Sequence, residues 1–185
     1  MHGFAYDPIH DEIIVSSPLT QGILVFRGAA NGEEAPIRII QGPHTRIVGT
    51  AEGGNDKVSV DGVNNEILLP VGTGTSRENR NPVAENGVLV FARDANGDIA
   101  PKRILAGPDT QIRGVNAVAA DPVHDRLIVN SGGALLIFAR TASGNTNRAD
   151  YTRDHFVRLA VGAGWLLAAL LGEVAGQEAL LFSAA

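Results

Sequence analysis

Two histidines occupy the same setting, Asp7-Pro8-Ile9-His10-Asp11 and Asp121-Pro122-Val123-His124-Asp125. Imidazole beside carboxylate can serve as a general base or a metal ligand. The same spacing also builds a tight turn, in which an aspartate side chain bonds backbone a few residues on. Copies carried by successive repeat units stand one unit apart and do not converge, so a turn is the expected role. Asp94-Ala95-Asn96-Gly97-Asp98 places oxygen donors at alternate positions, as the start of a calcium loop does. The closing glutamate is missing, and Ala29 and Thr141 replace Asp94 in the related stretches, which again points to a turn. The third series is Asp7, Asp61 and Asp121, each at the end of a short apolar stretch. These three are the candidate binding residues, with a strand-end turn cap as their plainer role. No Gly-x-Ser-x-Gly elbow and no His-Glu-x-x-His pair is present. No catalytic residue and no metal ligand is assigned from the sequence.

What must position these groups is a tandem repeat. Gly22 to Ile47, GILVFRGAANGEEAPIRIIQGPHTRI, returns as Gly87 to Ile112, GVLVFARDANGDIAPKRILAGPDTQI. The two align without a gap and agree at 15 of 26 positions. Val88 to Phe91 is a short apolar run rich in strand formers. Asn96-Gly97, like Asn31-Gly32, suits a tight hairpin turn. A second strand is expected to open on Pro36 or Pro101, because proline belongs at strand starts or edges. Gly42-Pro43-His44-Thr45 and Gly107-Pro108-Asp109-Thr110 then form an exit turn. Before each hairpin lies an Asp-Pro-x-His-Asp turn between two strands, with Asp61 to Leu69 as a degenerate copy. Each unit therefore holds four short strands, the signature of a β-propeller blade.

The predicted strands of blade one, about residues 2–50, lie near 3–6, 12–16, 22–27 and 36–40. Those of blade two, about 56–114, lie near 57–60, 66–70, 87–93 and 102–106. Blade two carries an insertion from Gly72 to Asn86 where blade one has only Pro18 to Gln21; it reads as a tolerated loop, since such insertions are cheap. Blade three, about 115–146, matches through Asn145, and Phe26, Phe91 and Phe138 share one slot. The expected Ala-Pro-x-Arg-x-Ile is then replaced by Asn147-Arg148-Ala149-Asp150. The fold expectation is all-β: a partial propeller of about two and three-quarter four-stranded antiparallel blades over residues 1–146.

Residues 147–185 form a divergent tail rich in Ala, Leu and Gly, with the single tryptophan, Trp165. Leu and Ala density favours a helix; disorder is the other expectation. Three origins compete: a helix covering an open sheet edge, a poor membrane anchor, or non-native sequence from a shifted reading frame. The uncharged stretch Leu159 to Gly172 is shorter than a membrane span needs, and Glu173 and Glu178 interrupt a longer one. That argues against membrane contact.

The net charge of −5 and the absence of a basic cluster argue against a nucleic-acid partner. There is no cysteine, which excludes disulfides and thiol chemistry without fixing a compartment. Residues 1–15 show no signal-peptide pattern, and the abrupt start suggests a truncated copy of a longer protein or a mis-assigned start.

The Asp-Pro-x-His-Asp turn, the [IVL]-x-Val-Phe strand, the Ala-x-x-Asn-Gly-x-x-Ala-Pro-x-Arg-x-Ile hairpin and the Gly-Pro-x-Thr turn together resemble NHL-like and lactonase-like bacterial β-propellers, above all uncharacterised acidobacterial repeat proteins. The resemblance covers about Met1 to Asn145 and is specific for fold. It implies six or seven blades in full-length relatives, which are often exported. It also places Asp7, Asp61 and Asp121 at one mouth of a central channel, where lactonase-type enzymes hold a divalent cation with Glu, Asn and Asp; a matching Glu and Asn set is not found. The expected function is a non-catalytic propeller module with a binding or scaffold role, its ligand or protein partner open, and no cofactor. The alternative is a fragment of a lactonase-like hydrolase with a divalent cation such as calcium at the channel mouth. Open blade edges imply possible self-association.

Overall fold

The computed structural model describes residues 3–47, 57–72, 86–131 and 134–149. The apolar runs are short and alternate in facing, which makes each a strand whose two sides bury different neighbours. The first sheet is β1 (Gly3–Asp7), β2 (Glu12–Ser17), β3 (Gly22–Arg27) and β4 (Arg38–Gln41), in that order. The second is β5 (Ser59–Asp61), β6 (Glu66–Val71), β7 (Gly87–Ala92) and β8 (Arg103–Ala106). The third is β9 (Val115–Asp121), β10 (Arg126–Ser131) and β11 (Ala134–Ala139). All pairings are antiparallel between neighbours in sequence. The protein is thus all-β, with two four-stranded sheets and one three-stranded sheet. Among the described residues there is no α-helix, only 3-10 turns at Pro43–Thr45 and Pro108–Thr110.

The sheets stack face to face in chain order, and β1, β5 and β9 touch in succession. Call the side of a sheet that meets the preceding one its front, and the other its back. Ile14, Ile23, Val25 and Ile40 on the back of the first sheet pack against Ile67, Leu69, Leu89 and Phe91 on the front of the second. Leu68, Val88, Val90 and Leu105 on its back pack against Leu127, Val129, Leu136 and Phe138 of the third. Every residue of β6 and the first five of β7 are buried, because only the second sheet has a described neighbour on both sides.

The repeated phenylalanine slot shows the consequence. Phe91 and Phe138 are fully buried between sheets. Phe26, in the same register opposite Ile13 as Phe91 is opposite Ile67, is only partly buried. No described sheet stands in front of it.

The fourth strands begin later than proline suggests. Pro36 and Pro101 precede β4 and β8 by two residues, and the residue after each proline donates to β3 or β7: Ile37 N to Val25 O and Lys102 N to Val90 O, both 2.8 Å. In the third sheet Ala149 N donates to Ile137 O at 3.1 Å. The backbone therefore makes the equivalent rung there although the side-chain pattern has changed. The insertion residues 73–85 and the tail from Asp150 onward, with its helical and membrane-anchor readings, lie outside the described residues.

Candidate functional site

Asp7 closes β1 and faces Glu12 across the turn. Its carboxylate is fully buried. Oδ1 accepts from the backbone N–H of Ile9 (3.0 Å) and His10 (3.3 Å), and Oδ2 lies 2.7 Å from His10 Nδ1. Asp121 repeats the arrangement with Val123 N, His124 N and His124 Nδ1 at 3.1, 3.2 and 2.7 Å. Asp61 does the same with an amide: Asn64 N at 3.0 Å and Asn64 Nδ2 at 2.8 Å. The turns end on Asp11, Asn65 and Asp125 at φ 53°, 56° and 54°. Asn and Asp tolerate that left-handed conformation better than most residues. Burial pushes the Asp121 carboxyl up, but hydrogen bonds from His124 and Val123 outweigh it and hold it below its ordinary value.

The three aspartates therefore stand at equivalent strand ends, and successive turns abut: a Cβ on Gly62 would lie 3.1 Å from Asp7 Oδ2. Each carboxylate nevertheless spends both oxygens within its own turn. His10 and His124 pair with their own aspartates, two sheets apart. Among the described residues no three His, Asp or Glu side chains are grouped so as to hold a metal ion.

The Asn-Gly stretches do something other than close a two-residue hairpin. Only the glycines have positive φ, Gly32 at 61° and Gly97 at 81°, whereas a type I′ turn needs it at both central residues. Gly97 instead pairs with the outer strand of the preceding sheet. Its N–H donates to Ile39 O (2.6 Å) and its carbonyl accepts from Gln41 N (3.1 Å). Gly144 binds Ile104 O and Ala106 N of the second sheet in the same way (2.7 and 3.2 Å). This covers an otherwise unpaired edge. The following residue clasps the exit turn: Asp98 Oδ1 accepts from His44 N (2.7 Å), and Oδ2 lies 2.6 Å from His44 Nδ1. Asn145 clasps Asp109 N and Oδ2, both at 2.7 Å. The apparent calcium-loop donors Asn96 and Asp98 are thus turned toward the first sheet, Asn96 Oδ1 accepting from Ile39 N at 3.0 Å.

The strongest electrostatic feature was not singled out by sequence reading. Glu12 and Glu66, at the start of β2 and β6, are buried. Glu12 Oε2 accepts from Arg38 of its own sheet (2.7 Å) and from Arg93 of the next (2.9 Å). Glu66 is held by Arg103 through both oxygens (2.6 and 2.7 Å), by Lys102 (3.1 Å), and by Arg140 of the next sheet (3.3 Å). Burial alone would push the Glu66 carboxyl up. Hydrogen bonds from Arg103 and Lys102, then their charges, override it and bring it down from 4.5 to about 2. Glu12 is lowered by the same balance with Arg38 and Arg93. The arginines of the following sheet are aimed by an Asx side chain at the end of the strand turn: Arg93 Nε donates to Asn65 (3.0 Å) and Arg140 Nε to Asp125 (2.7 Å). The signal was present, since the glutamate and the Pro-x-Arg-x-Ile arginine both recur, but their meeting depends on which sheets stack.

A cleft of about 260 Å³ lies on the front of the first sheet, floored by Phe4, Ile13, Val15, Phe26 and Ala30 and rimmed by Asn31, Gly32 and Glu34. Comparison of the chain with protein-family models and with curated proteins finds no match.

Proposed function

We propose that the chain is an incomplete β-propeller acting as a non-catalytic binding or scaffold module. Four-stranded antiparallel units stacked in chain order, with their first strands side by side, support the propeller reading. The observation that carries the functional reading is the commitment of the candidate groups. Asp7, Asp61 and Asp121 are engaged by their own turns, and Glu12 and Glu66 by arginines between sheets. A group already neutralised and hydrogen-bonded by its scaffold gains little by turning to a substrate or cation.

One observation favours the alternative, a lactonase-like hydrolase fragment with a divalent cation at the channel mouth: the aspartates recur at equivalent strand ends of adjoining sheets. Calorimetric titration of the chain with calcium, zinc and manganese separates the two. Absence of micromolar binding supports the scaffold module. Micromolar binding that disappears in Asp61→Asn would establish the cation site instead.

A further inference from the structure

The cleft on the first sheet is one of three copies of the same structure. Phe4, Ile13, Val15, Phe26 and Ala30 align with Val58, Ile67, Leu69, Phe91 and Ala95 of the second sheet. They align equally with Val118, Leu127, Val129, Phe138 and Ala142 of the third. The second and third copies are filled, each by four aliphatic side chains from the back of the preceding sheet. The first is open: Phe4 is 69% and Tyr6 51% exposed. At the other end the third sheet carries Ile128, itself largely buried, and the partly buried Leu135 and Ile137 at the back-face slots that Leu68, Val88 and Val90 occupy in the second.

The charged slots show which back face fits. In both internal contacts a back-face glutamate, Glu12 or Glu66, meets an arginine from the next sheet, Arg93 or Arg140. On the open front the arginine slot is Gly28. Asp11 leans over it: a Cβ there would collide with the Asp11 carboxylate, which also accepts the Tyr6 hydroxyl at 2.9 Å. On the back of the third sheet the glutamate slot is Arg126. The polarity is reversed on both sides at once. A back face bearing glutamate would bring like charge to Asp11, whereas the third sheet brings a guanidinium to it.

We propose that the front of the first sheet is a socket for a second copy of this chain, filled by the back of that copy's third sheet, with Arg126 of one copy facing Asp11 of the other. The contact is heterologous, so each copy has one socket and one plug, and association closes into a ring or continues as a chain. The proposal rests on the internal sheet contacts and holds whether or not the module binds a further ligand.

The test is sedimentation equilibrium of the full chain over roughly 1–100 µM, a range in which mass action reveals weak assembly. The expected result is a mass of at least twice 19.3 kDa. Phe26→Arg and Leu135→Arg each weaken association by about a hundredfold or more, as loss of a central apolar anchor does. Arg126→Glu and Gly28→Arg each weaken it by about tenfold by opposing like charges. Combined, Gly28→Arg and Arg126→Glu rebuild the internal glutamate–arginine pair and restore association to within about threefold of the original. A protein that stays at 19.3 kDa throughout overturns the proposal. So does association indifferent to Phe26→Arg, or a double variant no better than the worse single one.

Discussion

Replacing Glu66 by glutamine tests whether the buried carboxylate holds the second and third sheets together. The side chain keeps its shape, but Arg103, Lys102 and Arg140 lose their shared counter-charge. The Glu66 carboxyl falls from 4.5 to about 2, and at about 1.36 kcal/mol per pH unit this corresponds to about 3 kcal/mol of stability at neutral pH. Breaking one partner out of a buried ion pair is expected to cost about 3–5 kcal/mol, in agreement. Because the folded value lies below the unfolded one, the contribution is complete above pH 4.5 and is lost as pH falls toward 2. Urea unfolding, with a slope of roughly 2 kcal/mol per molar, should show the Glu66→Gln midpoint about 1.5 M lower at pH 7. The gap between the two proteins should close as pH falls through that window. Glu12 titrates in the same direction in both proteins, so the difference between the curves isolates Glu66. A pH-independent gap, or one below about 0.5 kcal/mol at pH 7, which is the size of an ordinary surface change, would refute the reasoning.

The packing differences predict further outcomes. Phe91→Ala should destabilise the chain by about 3–5 kcal/mol, the cost of an aromatic cavity. In dilute monomer Phe26→Ala should cost less than about 1.5 kcal/mol, since part of its surface is already exposed; denaturant titration of both variants compares them. Gly107 has φ 127°, and a Cβ there would stand 2.5 Å from Asn145 Oδ1. Gly107→Ala should therefore cost about 2–3 kcal/mol from strain and clash, whereas Gly32→Ala, which meets nothing within 4 Å, should show only the left-handed backbone cost of about 1 kcal/mol; thermal melts read the difference. Asp121→Ala deprives two backbone N–H groups and His124 of their acceptor. It should cost about 1–3 kcal/mol in urea titration, with no change in calorimetric titration against calcium.

Much of the strand layout is local physics, and so it was readable from residues alone. Gly22 to Phe26 and Gly87 to Phe91 alternate apolar side chains between turn residues, and the strands fall there whatever surrounds them. The Asp7, Asp61 and Asp121 turns were equally legible, because an aspartate that bonds N–H groups two and three residues ahead needs only its own segment. The Asn-Gly stretches were not: Gly97 takes its positive φ, but its hydrogen bonds go to Ile39 and Gln41, which lie more than fifty residues earlier in the chain. No local preference encodes that contact.

Recurrence of one strand-turn pattern along the chain determined the strands, their order within each sheet and which side chains share a face, since each depends on neighbours close in sequence. The tertiary structure alone decided which charges became structural. Glu12 and Arg93 are 81 residues apart and Glu66 and Arg140 are 74 apart, and they become partners only when one sheet lies on the next. The same stacking turned three copies of one apolar cleft into two filled contacts and one open one, because burial is settled by what stands opposite a face as well as by the face itself.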